Sequence, residues 1–260
     1  MQTEPIQLKG GFTTLDPRLD RLPYFDDRSL EYPALPKLRT ATHKPLRSNS
    51  HNFRKYPFWL DQRREGACVS FGIGHDLMAY PQEIPMTDEL CRTNYFEIQQ
   101  RDPWPGGAYP GASPFYEGTA VLTGMMFYKE YLERLIPGSK WEVRWLFGGD
   151  DVITALMYRG VVIGVNWYGG MMNTDAQGFI HPTGRVVGGH CTYLNRSRLK
   201  WRKNVTHYEA KDLERELTLA RGRNTWGRPW GKDGDFCIAL SKLDYLFAQD
   251  GEAAVLVRVV

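Results

Sequence analysis

Four side chains in this sequence are of types that carry out nucleophilic chemistry together: a cysteine, a histidine, an asparagine and a glutamine. Cys68 closes the stretch "DQRREGAC", six positions after Gln62, and stands where an apolar, helix-like run begins. The thiolate is the reactive form of cysteine, and the unpaired N–H groups and partial positive charge of a helix N-terminus favour it. A neighbouring imidazolium pairs with that thiolate and then gives its proton to a leaving amine. His190, in "VGGHCTYL", can fill that role from the start of a strand far along the chain. Asn224, in "RNTWGRPWGKDGDFCI", is a polar group able to hold an imidazole, and Trp226 can shield that hydrogen bond from water. Gln62 offers an amide donor where a carbonyl oxygen becomes negative, a contribution on the order of 3 kcal/mol per donor. Taken singly, each has a plain structural reading, since a cysteine in an apolar run is usually a small core residue and a lone histidine a packing one. Their joint presence and their order along the chain favour chemistry.

The elements that must position them differ between the two halves of the chain. Residues 1–55 are rich in proline and charge and show little periodicity, so they read as an extended arm on the domain surface, with Tyr24, Phe25 and Tyr32 as anchors. From Ala67 to about Tyr80, Val69, Phe71, Ile73, Leu77 and Met78 suit a buried helix, with Gly72 and Gly74 permitting close packing. Thr87 caps a second helix carrying Leu90, Tyr95 and Ile98, and a third runs from about Thr119 to Leu135 after a Gly/Pro-rich loop. Past Pro137, "DDVITALMYRG" reads as a short helix before a strand at 160–168. Further strands are expected at 184–195, 217–226, 235–240 and 253–259. The fold class is α+β: a helical lobe over about 56–137, a β lobe over about 138–260 and a cleft between them. Residues 196–223 form a charged excursion between strands, read as a solvated insertion.

Bulk properties limit the alternatives. The 260 residues suit one large domain or two lobes, and a formal net charge of +3 is too small to argue for nucleic acid. No apolar run is long enough to span a membrane, and the start of the chain has no apolar signal segment, so a cytoplasmic location is expected. The four cysteines form no CxxC pair and no zinc spacing, in keeping with a reduced chain. His75, His181 and His207 are not at ligand spacing with carboxylates or cysteines, so no metal or cofactor is expected. The glycine-rich stretches lack the Lys-Ser/Thr ending of a phosphate loop.

"DQRREGACVSFG", "GGHCTYL" and "NTWGRPWGKDGDFCIAL" together resemble the glutamine-cysteine, histidine and asparagine motifs of the papain-like cysteine peptidases, in the family's order. "YEGTAVLTGMMFYKEYL" is similar to a segment of bacterial and phage members. The resemblance covers most of 56–260 as a peptidase domain. It implies Cys68 as nucleophile, His190 as general acid/base and Asn224 as its orienting partner, with Gln62 and the Cys68 N–H forming the oxyanion hole. By the same carry-over Gly118, Val165, Gly189 and Trp226 line the substrate cleft. The chain departs from the family's secreted type at Glu65, where a disulfide-bonded cysteine is usual, and at Val69, where an aromatic residue often follows the nucleophile. Cys191 stands where a small residue is usual. The arm is shorter than the family's inhibitory propeptide and lacks its long helix, so it is expected to belong to the mature fold.

Three functions stay open on the residues alone: a cysteine peptidase acting on protein or peptide substrates, a narrower amide or isopeptide hydrolase of the cell-wall or phage-precursor kind, and a silent binding protein that kept the fold. The first is the leading reading, because all four site residues are present.

Overall fold

The computed structural model describes residues 4–34, 47–102, 118–205 and 208–260. Most of the Gly/Pro-rich loop before the third helix lies outside them, as does His207. In chain order the elements are β1 (Ile6–Gln7), β2 (Thr13–Thr14), α1 (Cys68–Met78), α2 (Asp88–Gln99), α3 (Val121–Leu135), β3 (Trp141–Leu146), α4 (Gly149–Ala155), β4 (Val161–Tyr168), β5 (Val186–Arg198), β6 (Leu219–Arg223), β7 (Asp235–Ala239), α5 (Leu240–Phe247) and β8 (Glu252–Arg258).

The helical lobe forms around α1, all eleven residues of which are buried. A helix buried on every side needs small residues where neighbours come close. A Cβ on Gly72 would stand 3.0 Å from Cys191 Sγ, and one on Gly74 would stand 2.8 Å from Cys91 Sγ. Thr87 caps α2 as expected, its hydroxyl accepting from the Leu90 N–H at 3.1 Å. A third glycine, Gly124 on α3, lets that helix approach α1 at Val69 and Ile73.

The β lobe is one antiparallel sheet of order β3-β8-β4-β5-β6-β7. β5 lies in its middle, with β4 on one side and β6 on the other, and its register sets His190 opposite Val165 and Cys191 opposite Gly164. The sheet buries two faces. One packs under α1 and α3, while the other carries Trp167, Trp226, Trp230 and Phe236 in a second core. An Arg159 guanidinium at 3.0 Å from the Asp76 carboxylate ties the two lobes together across their seam.

Past the arm, which itself holds the short pair β1 and β2, two elements are absent from the sequence reading: β3 and α5. β3 ("WEVRWL") alternates at period two, but its exposed positions are charged and the run is short. It becomes a strand because β8 offers it a full edge to pair with. α4 ends at Ala155, shorter than the sequence reading, and the chain goes on in turns through Tyr158, which is exposed.

The arm departs further from expectation. Its ends do hold the surface of the β lobe: Ala34 pairs with Trp145 on β3, and His51 with Asn195 on β5. Phe25 and Tyr32 pack against the core, and Tyr24 stacks on Phe12. Residues 15–22, however, run inward rather than over the outside. Leu19, Asp20, Arg21 and Leu22 are fully buried between β5 on one side and the entry to α3 on the other. A proline-rich stretch can be buried only if its backbone groups find partners, and here they do. Leu15 N–H donates to Val187 O, Arg21 N–H to Gly189 O and Leu22 N–H to Thr119 O, while Asp20 O accepts from Thr119 N–H.

The excursion at 196–223 is partly docked. Leu213 is buried, and Arg215 bridges Asp150 on α4 and Asp244 on α5.

Because Leu19 sits in the second core, Leu19→Ala should cost about 2–5 kcal/mol, measured as a lower urea midpoint with an unchanged slope. A cost under about 0.5 kcal/mol would place the inward segment outside the cooperative fold.

Candidate active site

Cys68 is the first residue of α1, as the sequence reading requires. Its sulfur lies against the middle of β5, where the Cys191 N–H points to Sγ at 3.3 Å. The thiol is therefore held one residue along the strand from His190. His190 is fully buried, and its Nε2 stands 2.6 Å from Asn224 Oδ1. That oxygen also accepts from the Thr225 N–H at 2.8 Å, which fixes the amide with its oxygen toward the ring. Since an amide oxygen only accepts, the proton sits on Nε2 and Nδ1 keeps its lone pair. Nδ1 is buried and has no hydrogen-bond partner among the described residues. Two indoles hold the ring: Trp167 meets it edge-on at a centroid distance of 4.6 Å, and Trp226 is tilted over it at 4.9 Å. Their low polarity and the burial of the ring disfavour the imidazolium and push His190 down to about 4.

Gln62 is buried, and Thr225 Oγ1 donates to its Oε1, which leaves its Nε2 as the outward donor. That amide nitrogen donates to Glu65 O at 2.6 Å and to Arg18 O at 3.0 Å. The second donor expected of an oxyanion hole, the Cys68 N–H, donates to Asp20 Oδ1 at 3.3 Å. Both donors thus point at oxygens of the arm.

The remaining candidates divide. Gly118 has φ +72, and a Cβ there would meet Leu22 Cδ2 at 2.6 Å and Asp20 O at 2.7 Å. A Cβ on Gly189 would meet Arg21 Cδ at 3.2 Å and would clash with the Arg21 carbonyl. Both glycines therefore line the groove that the arm fills. Trp226 also faces the arm, with the Arg18 guanidinium 4.1 Å above its ring. Val165 does not face it. Adjacent strand residues point to opposite faces, and it is Gly164 that faces the arm, where a Cβ would stand 2.9 Å from Arg21 Nε. Val165 packs into the second core. The sequence reading is one residue out at this strand, because "GVVIGVNWY" is apolar on both faces and offers no alternation to set the register.

Residues that the sequence reading did not single out complete the site. Asp20 reaches from the arm so that Cys68 Sγ donates to its Oδ1 at 3.0 Å. Burial of the thiol and the adjacent Asp20 carboxyl push Cys68 well above the usual thiol range. With the arm in place, then, the site does not hold the thiolate that a helix start would favour. Burial also pushes Asp20 up to about 7, against the two hydrogen bonds from Cys68. Arg18 is clamped by Asp16, with Nε to Oδ1 at 2.9 Å and Nη2 to Oδ2 at 2.7 Å, beside His190. No cluster of three or more His, Cys, Asp and Glu able to hold a metal ion occurs among the described residues. All four cysteines are free, and none of the described helices is long and apolar enough to cross a membrane.

The fold is that of the papain-like cysteine proteases. The chain is similar to xylellain, a cysteine protease from Xylella fastidiosa, with a TM-score of 0.56 over 94% of this chain and 98% of that one, at 14% identity. It is also similar to the bromelain protease from Ananas comosus in complex with the E64 inhibitor, with a TM-score of 0.51 over 82% and 99% of the two chains, at 12% identity. No protein-family profile matches the sequence, and no curated protein matches it.

The position of Asp20 sets a sign on stability. Its folded value lies above its ordinary 3.8, so the closed chain favours the protonated acid. That contribution is fully present below about 4 and is lost as pH rises through about 7, by an amount on the order of a few kcal/mol. Asp20→Asn keeps the acceptor and removes the titration. Relative to the parent, its thermal midpoint should rise between pH 4 and pH 8. Parallel curves for the two proteins across that range would show that Asp20 is not held protonated.

Proposed function

We propose that the chain is a cysteine peptidase that hydrolyses peptide bonds through Cys68, His190, Asn224 and Gln62. The observation that carries this reading is the His190–Asn224 pair, with its buried, unpartnered Nδ1, beside a sulfur at the first turn of α1.

In the open site, Nδ1 takes the Cys68 proton. The resulting imidazolium and thiolate stabilise each other, which neither burial nor the helix start achieves alone. The thiolate attacks the scissile carbonyl. The oxygen that becomes negative moves into the space between Gln62 Nε2 and the Cys68 N–H, donors that are in place before the reaction begins. Collapse of the tetrahedral species breaks the C–N bond, and His190 protonates the departing amine. A thioester remains on Cys68. His190 then removes a proton from water, the hydroxide displaces the thiolate, and the acid product leaves. Asn224 holds the ring through both steps, with Trp226 over the pair.

The same reading makes the full chain latent. Arm residues 16–22 occupy both oxyanion donors and the groove walls, and they present a side-chain carboxyl to the sulfur. A side-chain carboxyl carries no amine to leave, so the arm can sit against the nucleophile without being cut there. This differs from the sequence expectation, in which the arm belongs to the mature fold and activity is limited by substrate choice alone. The arm's buried leucines satisfy both roles: it completes the fold and it fills the cleft.

Loosening the arm should release activity. The variant Arg18→Gly/Asp20→Gly should hydrolyse a fluorogenic peptide amide at least about tenfold faster than the parent, in line with restored proton transfer and nucleophile access, and Cys68→Ala in that background should abolish turnover. Gln62→Ala in the same background should lower kcat by about 10²–10³-fold. An epoxysuccinyl thiol reagent should add once, at Cys68, in a manner that His190→Ala removes. If the reagent and the substrate are both ignored once the arm is loosened, the chain is a binding protein that kept the fold.

A further inference from the structure

Away from the cleft, the far end of the sheet carries charges that neither the core nor the catalytic roles explain. On β6 and β7, Ala220, Phe236 and Ile238 are buried in the second core. Adjacent strand residues point to opposite faces, so the cross-strand partners Arg221 and Cys237 look outward, and both are partly exposed. β5 continues that outer face with Arg196 and Arg198, and its register sets Arg196 directly opposite Arg221. Like charges facing each other across a ladder cost stability. The acid at this face, Asp235, is already shared: its Oδ2 lies 2.9 Å from Arg221 Nη2, and its Oδ1 accepts from Arg223 Nε at 3.0 Å. Arg196 donates only to uncharged oxygens, Ser50 Oγ at 2.9 Å and Asn52 Oδ1 at 3.2 Å. Arg198, Lys200 and Lys232 are exposed and, among the described residues, take part in no ion pair. Beside these cations the surface is apolar. A cavity of about 450 Å³ lies between Phe179, Leu199, Leu217 and Leu219, with Arg198, Lys200 and Glu216 also in its wall. Leu217 is 54% exposed there. A smaller cavity holds Lys232, Arg221 and Cys237. Leu219 and Arg221 are two residues apart on β6, so the two cavities are neighbours along one strand.

We propose that this face is an exosite: it docks an acidic peptide segment bearing a branched aliphatic side chain, carried by the protein substrate at a distance from the bond that is cut. The inference rests on the peptidase reading and names its substrate class. The chain itself links the face to the site. β6 ends at Arg223 and the next residue is Asn224, which holds His190. Arg221 therefore stands three residues from the catalytic asparagine, about 10 Å along an extended strand. Carboxylates of the docked segment relieve the opposition of Arg196 and Arg221 and pair with Arg198 and Lys232, the guanidiniums through two parallel bonds. The aliphatic side chain fills the cavity beside Leu217. The mixture of cations with an apolar cavity favours a peptide over a phosphodiester chain, which brings charge but nothing to cover Phe179 and the leucines.

The test uses the full chain and two readouts. The first needs no catalysis. Fluorescence anisotropy with the Cys68→Ala protein gives the affinity for a fluorescein-labelled Glu-Glu-Leu-Glu-Glu peptide at low salt. That peptide should bind at least about fivefold tighter than one with glycine for its leucine, and than one with glutamine for its glutamates. Binding should weaken as salt is added. Arg198→Glu/Lys232→Glu changes two exposed side chains outside the catalytic machinery and should weaken it at least about tenfold. The second readout uses the arm-loosened Arg18→Gly/Asp20→Gly chain and an internally quenched peptide. The acidic segment is joined to that peptide at its amino end or, in a second substrate, at its carboxyl end, through a Gly/Ser spacer of about six residues, roughly 20 Å when extended. In one of the two, the segment should lower KM at least about fivefold with kcat unchanged, as binding remote from the reacting bond does. Arg198→Glu/Lys232→Glu should remove that gain and leave cleavage of the unextended peptide as it was.

Equal affinity for the three peptides, or binding that survives the charge reversal, would overturn the proposal. So would equally tight binding of an oligothymidylate of the same charge, which would make the face a general polyanion surface. If the acidic peptide binds as expected but the loosened chain cuts no substrate, the peptidase reading fails and the face docks a partner protein instead. If the unextended peptide is cut and neither extension lowers KM, the peptidase reading stands and the exosite does not.

Discussion

Everything at the cleft depends on how closely α1 can approach β5. The helix is buried along its whole length, and its first turn has to bring Cys68 Sγ within reach of the Cys191 N–H. That approach is possible because Gly72 has no side chain where Cys191 Sγ and the strand backbone pass. Tight packing of this kind is rigid on the scale that acyl transfer demands, since moving the sulfur means moving a helix through a close-packed core. The rest of the site hangs from the same strand. His190 is the neighbour of Cys191, and Asn224 follows directly after β6, which pairs with β5, so the ring and its partner are placed by ladder hydrogen bonds rather than by a loop.

The second constraint is electrostatic. The closed cleft buries Asp20, Arg21 and Glu252 within a few residues of the thiol, and charges in such surroundings are tolerated only when paired or neutral. Arg21 and Glu252 satisfy this as a pair. Among the described residues Asp20 is met by the weak donor Sγ–H and one backbone N–H, and its second oxygen has no hydrogen-bond partner there. Its raised value is the physical result: burial favours the protonated acid. The same burial disfavours the charged forms of Asp20, Cys68 and His190 alike, whereas the proposed chemistry needs a thiolate–imidazolium pair.

Much of the scaffold is legible in the sequence because its signals are local. The cap at Thr87, the apolar stretch after Ala67 and the β-branched run at Val161–Tyr168 are each read within a dozen residues. Gln62, Cys68, His190 and Asn224 stand out because their motifs come in a fixed order. The arm's course does not stand out. An ion pair between residues 231 positions apart leaves no mark on either neighbourhood. Arg21 lies in a stretch whose prolines and charges read as surface, and Glu252 begins a strand, "EAAVLVR", that is apolar between its two charged ends, where its acid looks like a strand end facing water. The misplaced cleft residue has a related cause: β4 is covered on both faces, so nothing in its composition separates Gly164 from Val165, and only the pairing with β5 and β8 does.

On the peptidase reading proposed above, latency comes from the arm, which lies in the cleft as a bound peptide would. Its backbone takes the hydrogen bonds of Gly189 and Thr119, its Arg18 carbonyl takes the Gln62 amide, and Arg21 takes the acid at the floor. The one place where the imitation fails is the reacting position, where a carboxyl stands instead of an amide. That difference is chemically sufficient. Cleavage of an amide ends with the departure of an amine, which the Asp20 side chain does not offer, and its carboxyl adds to the burial that disfavours the Cys68 thiolate. A competitor for the groove must therefore match several contacts that are already made within the chain, where the effective concentration of the arm is high. Short or poorly matched peptides lose that contest.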